Sequence, residues 1–153
     1  MGMGSSLGID IIPLGLIWKK IEERSESFEI HWFSARERLL IQNLLVKVKN
    51  PHHTRSFFQT CFWSIKEAVC KALTIGGMGG EGVRSIEIED FSEHQAKVRF
   101  TGIAQDVFQK INAPIHIQHW THTEHLIVVS YVQLYTHKAW NVPILENSLV
   151  ESA

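Results

Sequence analysis

The sequence predicts an α+β fold, a short, mostly antiparallel sheet packed on a few helices. Two observations carry that reading. The segment 55–73 repeats apolar residues at helical spacing, and several short segments in the second half of the chain alternate or run apolar as strands do. A length of 153 residues fits one domain, 1–153, with 1–6 as a flexible lead and about 141–153 as a tail.

Taken in order, GIDII at 8–12 reads as a short buried strand whose apolar run is broken only by Asp10 and which Pro13 stops. Residues 16–24 have helical spacing, with Lys19, Lys20, Glu22, Glu23 and Arg24 on the polar side. A second helix is expected from Ser34, because Ser34 and Glu37 have the spacing of a capping box ahead of Leu39, Leu40, Leu44 and Leu45. Residues 50–53 form a turn. In 55–73, Ile65, Ala68, Val69, Ala72 and Leu73 make one apolar stripe. Trp63, Glu67 and Lys71 line the opposite side, since positions four apart differ by only about 40° around the axis. The helix thereby presents a carboxylate and an amine together. IGGMGGEG follows at 75–82, and its five glycines predict a non-helical loop in which backbone approaches a ligand closely. Strands at 83–88 and 96–100, a helix at 104–111, and a strand pair at 115–120 and 126–134 around the polar turn THTEH complete the series, in one mixed layer.

Composition narrows the function classes. Hydrophobic residues at 44% and charged residues at 20% are those of a globular protein, which excludes a disordered or fibrous chain. Fifteen Lys+Arg against sixteen Asp+Glu give a net charge of -1, which argues against nucleic acid or an anionic membrane as partner. An anionic ligand must be held locally. Only two cysteines, Cys61 and Cys70, lie in one helical segment, and neither a spanning segment nor a signal peptide is legible. A reduced, cytoplasmic protein is the expectation.

Three constellations bear on chemistry. Asp10 in an apolar strand must be hydrogen-bonded, paired or metal-bound, either capping a neighbouring helix or serving a cation. Glu67 with Lys71 reads on its own as a solvated i, i+4 pair, with a role in a site as the alternative that the following glycine segment favours. The glycine segment is no GxxxxGKS/T phosphate loop, because the helix precedes it and no Lys-Ser or Lys-Thr follows, though Lys66 and Lys71 lead into it. His116, His119, His122 and His125 recur every three residues, but a spacing of three alternates strand faces, so a zinc site is not the expectation.

Several separated segments together resemble the 4'-phosphopantetheinyl transferases, in particular the small single-lobed holo-acyl-carrier-protein synthase type. They are GIDII at 8–12, WSIKEAVCKAL at 63–73 with the glycine segment and SIEIED at 85–90, and WTHT at 120–123; FSARE at 33–37 and FTGIA at 100–104 are weaker echoes. The resemblance spans nearly the whole chain. It implies transfer of the phosphopantetheine arm of coenzyme A to a serine of an apo acyl or peptidyl carrier protein, leaving 3',5'-ADP. By the same resemblance Asp10 and Glu67 match the metal ligands for Mg²⁺, and Lys71 matches the lysine that contacts the cofactor phosphates. Lys66 matches the first lysine of the KEA motif and is counted with the catalytic group. Gly76, Gly77 and Gly79 would shape the cofactor pocket. His122, with Thr123 beside it, would bind a phosphate of coenzyme A. The general base is Glu67 or a water on the metal.

Departures from the pattern concern carrier recognition. Pro13 replaces a Glu and Leu16 replaces the arginine of the carrier-docking helix, leaving Lys19, Lys20 and Arg24 as alternative charges; Phe62 stands where an Arg is usual. Ile12 occupies the place of the third carboxylate of two-lobed relatives, so two carboxylates and water would hold the metal. These departures make a non-catalytic relative that binds coenzyme A or a carrier the alternative reading. The resemblance also implies that a single-lobed chain completes its cleft with a neighbouring subunit, most simply as a homotrimer.

Overall fold

The computed structural model describes residues 6–13, 25–49, 54–75, 80–111, 114–122 and 125–132. Strand β1 (Ser6–Pro13) pairs antiparallel with β5 (His125–Val132), which pairs antiparallel with β4 (Ile115–His122), in the order β1-β5-β4. A second sheet is the hairpin of β2 (Ile86–Phe91) and β3 (Ala96–Phe100), joined to β4 by the bridge Gln95↔Gln118. The helices are α1 (Ser25–Trp32), α2 (Ala35–Lys47), α3 (Arg55–Ala72), the short α4 (Gly80–Arg84) and α5 (Gly102–Ile111). The α+β class holds. The single mixed layer does not: the strands divide into two sheets with antiparallel pairings throughout.

Helix α3 is the axis of the core. Thr54 caps it by accepting the N–H of Phe57, and Cys61, Phe62, Ile65, Ala68, Val69 and Leu73 are all buried. Ile41 of α2 and Ile86 and Ile88 of β2 close on it from one side, and β1 crosses it on the other. The crossing is so close that a Cβ at Gly8 would stand 1.8 Å from the carbonyl oxygen of Ala68, so only glycine fits. The anticipated capping box is present: Ser34 Oγ accepts the N–H of Glu37 while Glu37 Oε2 accepts that of Ser34.

Several expectations need correction or completion. Helix α1 was not foreseen. Its face is secured by rings rather than by apolar periodicity, with Phe28 5.6 Å and Trp32 4.7 Å from Trp63 between ring centroids. The expected helix at 16–24 and the turn at 50–53 lie outside the described residues. The end of the glycine segment is helical, as α4, because two of its glycines serve packing: a Cβ at Gly80 would meet the Trp32 ring at 2.9 Å, and one at Gly82 the Ile75 carbonyl oxygen at 2.9 Å. With Val83 buried in that helix, the strand expected at 83–88 begins only at Ile86 and runs to Phe91, with a register shift between Ile88 and Asp90. Finally, His116 is exposed and His119 buried, on alternate faces of β4, and no cluster of three metal-ligating side chains exists among the described residues.

Candidate active site

Along β1, Leu7, Ile9 and Ile11 face outward, while Gly8, Asp10 and Ile12 face the helix. The glycine at position 8 lets α3 settle against the strand, and Asp10 then meets that helix directly. Ser64, Glu67 and Lys71 stand at i, i+3 and i+7, one stripe on one side of α3.

Both carboxylate oxygens of Asp10 are engaged. Ser64 donates its hydroxyl to Oδ2 at 2.6 Å, and Lys71 donates from Nζ to Oδ1 at 2.7 Å and to the Ile9 carbonyl at 3.1 Å. An ammonium has three donors, and among the described residues no partner takes the third. Asp10 thus pairs with a cation across the crossing of β1 and α3 rather than capping a helix. Glu67 sits between Ser64 and Lys71, half-buried, and its carboxyl titrates above the usual carboxylate range. Burial is the main cause, the Asp10 charge adds to it, and Lys71 opposes both. Among the described residues the site brings together two carboxylates and the half-exposed ammonium of Lys71.

Lys66 stands apart from this group. Lys66, counted with the catalytic group, is in the core. Its ammonium donates to Glu37 Oε2 at 2.9 Å and to the Trp32 carbonyl at 2.8 Å, and both charged side chains are only 1% exposed. Glu37 Oε1 accepts the N–H of Ile88 at 2.9 Å, so this one carboxylate ties α2, α3 and β2 together. Burial lowers the Lys66 pKa, and Glu37 works against that shift. His122 ends β4, paired with His125, while Asp10, Val128 and His119 share a rung three residues back along the strand. Gly76, Gly77, Gly79 and Thr123 lie outside the described residues. Trp63, one turn before Glu67, packs into the ring cluster with Phe28 and Trp32.

Sequence reasoning passed over Ser64. Its spacing from Glu67 and Lys71 was visible, but nothing local says that β1 crosses α3 there. Cys61 and Cys70 are free and buried; burial pushes the Cys61 thiol up and that of Cys70 up to about 12, so neither is a nucleophile here.

Solved structures share this fold. The holo-[acyl-carrier-protein] synthase from Neisseria meningitidis superposes with a TM-score of 0.62 at 17% identity, over 83% of this chain and 96% of that one. The Helicobacter pylori holo-[acyl-carrier-protein] synthase in complex with coenzyme A gives 0.59 at 23% identity, over 82% and 98%. That from Bacillus anthracis in complex with CoA (3',5'-ADP) gives 0.56 at 17%, over 84% and 95%. No curated protein sequence matches the chain. A family model described as the 4'-phosphopantetheinyl transferase superfamily matches residues 6–132, a span that runs from the first residue of β1 to the last of β5 and contains the whole Asp10 site. The chain belongs to the 4'-phosphopantetheinyl transferase superfamily.

Proposed function

We propose that the protein is a Mg²⁺-dependent transferase that moves the 4'-phosphopantetheine arm of coenzyme A to a serine of an apo acyl or peptidyl carrier protein. The observation that carries this reading is the meeting of Asp10, Glu67 and Lys71 at the crossing of β1 and α3. The serine oxygen forms a bond to the phosphorus bearing the pantetheine arm, the bond from that phosphorus to the bridging oxygen breaks, and 3',5'-ADP leaves. The serine proton passes to a base.

The donor set suits a divalent cation. The Asp10 charge adds to burial in resisting ionisation of Glu67, a local excess of negative charge that a cation relieves. Two protein carboxylates, completed by phosphate oxygens and water, is the usual way of holding Mg²⁺. When bound, the ion would neutralise charge that builds on the phosphoryl oxygens. Asp10 and Glu67 would hold it. Lys71, with a donor to spare, would bind a pyrophosphate oxygen. The raised pKa of Glu67 also suits it to accept the serine proton. Gly76, Gly77 and Gly79, His122 and Thr123 are assigned to coenzyme A by the family resemblance. Lys66 is assigned to holding α2, α3 and β2 together.

Self-association fits the outer face of the sheet. Leu7, Ile9 and Ile11 are 58%, 44% and 58% exposed, and the exposed Trp120 shares a rung with Ile11 through Ile127 of β5. An apolar row of this kind suits burial against further copies of the chain, as a homotrimer. The two free buried thiols fit a reducing, cytoplasmic setting.

The test is incubation with coenzyme A, Mg²⁺ and a panel of apo carrier proteins, following the carrier's mass. A mass gain equal to the phosphopantetheine arm on at least one carrier is expected. No gain on any carrier that a reference transferase modifies would leave the non-catalytic alternative standing.

A further inference from the structure

Among the described residues three neighbours act on the Asp10 carboxylate, and they differ in kind. Glu67 is an anion that repels it. Lys71 is an exposed cation on a flexible stem, the sort of partner that a metal ion or a phosphate displaces. Ser64 is neither: a neutral hydroxyl, fully buried, on a short side chain fixed in the middle of α3, donating to Oδ2 at 2.6 Å. Of the two hydrogen bonds to Asp10 among the described residues, the one from Ser64 does not involve the Oδ1 that the ammonium occupies.

We propose that Ser64 is a positioning residue for the divalent cation. By holding Oδ2 it keeps the Asp10 carboxylate plane turned so that Oδ1 stays on the side where Lys71 meets it, whether Oδ1 is occupied by the ammonium or by the metal. The inference rests on the proposed assignment of Asp10 and Glu67 as metal ligands. The physical requirement is general. A carboxylate on a strand has two rotatable bonds, and a ligand whose second oxygen is tied down spends less freedom on binding and presents its free lone pairs in one direction. A hydroxyl meets that need better than a charged donor because it neutralises none of the carboxylate's charge. It has one hydrogen to give, and Asp10 receives it. The geometry also explains why a polar side chain is tolerated at a position of α3 flanked by Phe62 and Ile65, both wholly buried. An alanine there would leave Oδ2 short of one donor.

The test uses Mn²⁺ alone as probe, with free Mn²⁺ followed by electron paramagnetic resonance on the full chain, beside thermal melts of the same samples. Ser64→Ala is expected to weaken Mn²⁺ binding by about tenfold, the low end of the range for removing an outer hydrogen bond from a metal ligand. Ser64→Thr, which keeps the hydroxyl, is expected to restore most of that loss. In an Asp10→Asn background, Ser64→Ala is expected to change Mn²⁺ affinity no further, because the ligand it orients has gone. In transfer assays the loss should appear as a raised Mg²⁺ requirement, with kcat at saturating Mg²⁺ little changed. A Ser64→Ala protein that melts lower but binds Mn²⁺ as tightly as the wild type would overturn the proposal and leave Ser64 a packing residue. A wild-type protein that binds no Mn²⁺ would overturn the metal assignment and this proposal with it. If Ser64→Thr is folded yet as weak as Ser64→Ala, the hydroxyl is not the cause and the proposal fails.

Discussion

Lys66 offers the sharpest separation of architecture from chemistry, because it lies inside the motif that suggests catalysis and yet points into the core. Replacing it by methionine, Lys66→Met, keeps the length and apolar stem but removes the ammonium. Glu37 is then a carboxylate only 1% exposed, left with the N–H groups of Ser34 and Ile88 and no counter-charge. Removing one partner of a buried pair costs about 3–5 kcal/mol, far more than the pair contributes relative to an apolar replacement of both. For a chain of this size each kcal/mol moves Tm by roughly 2–4 °C, so the melt should fall by about 6–20 °C. Total stability is on the order of 5–15 kcal/mol, so the single variant keeps a reduced margin. The double variant Glu37→Gln with Lys66→Met removes the stranded charge and should recover at least half of the loss. Urea denaturation of wild type, both single variants and the double variant closes the cycle. Folded Lys66→Met protein should bind coenzyme A within about twofold of wild type, as expected for a site that does not touch the ligand. A cost below about 1 kcal/mol, or a stable Lys66→Met protein that has lost coenzyme A binding, would refute the reasoning and return Lys66 to the catalytic group.

Four other outcomes follow from the same geometry. Lys71→Ala should abolish transfer while tightening Mn²⁺ binding in the absence of coenzyme A by about two- to fivefold, the equivalent of one partly solvated ion pair, as read by paramagnetic resonance. Weaker Mn²⁺ binding would show that Lys71 does not compete for Asp10. Glu67→Gln should raise Tm at neutral pH by a degree or two at most while removing transfer: a carboxyl whose folded pKa lies above its unfolded value costs stability once pH exceeds the unfolded pKa, and glutamine removes that cost. A lower Tm would contradict the electrostatic reading. His119, 2% exposed and stacked on Phe91 at 4.5 Å, has its pKa lowered by burial; the backbone of Ser92 and Gln95 opposes that shift and His94 adds to it. The unfolded chain therefore binds the proton more readily, and stability should be complete above about pH 6.5 and decline below it, a slope that His119→Phe should flatten in denaturation curves at about pH 7.5 and about pH 5. Ile9→Glu with Ile11→Glu should convert a wild-type trimer to monomer in light scattering at micromolar concentration; a monomeric wild type would remove the assembly reading.

Much of the site was legible because its residues are close in sequence or sit in simple patterns. Glu67 and Lys71 are one turn apart, so their common side followed from helix geometry, and an Asp in an otherwise apolar strand demanded a partner that Lys71 proved to be. The capping box at Ser34 and the hairpin around THTEH are local and came through directly. What escaped depends on contacts distant along the chain. Lys66 and Glu37 are 29 positions apart, and Ser64 and Asp10 are 54 apart. Neither pair has a local signal. The glycines at 80 and 82 read as part of a non-helical loop and are packing residues in a helix, because a ring from α1 and a carbonyl after α3 occupy the space a Cβ would need. Helix α1 itself relies on rings meeting Trp63, which apolar periodicity does not register.

The most direct measurement of the central claim is the mass of an apo carrier protein after incubation with coenzyme A and the wild-type chain, with Mg²⁺ and with the metal chelated, repeated with Asp10→Asn. A phosphopantetheine-sized gain is expected with wild type and Mg²⁺, and no gain on chelation or with folded Asp10→Asn. Equal modification with Asp10→Asn, or in the absence of divalent metal, would contradict it.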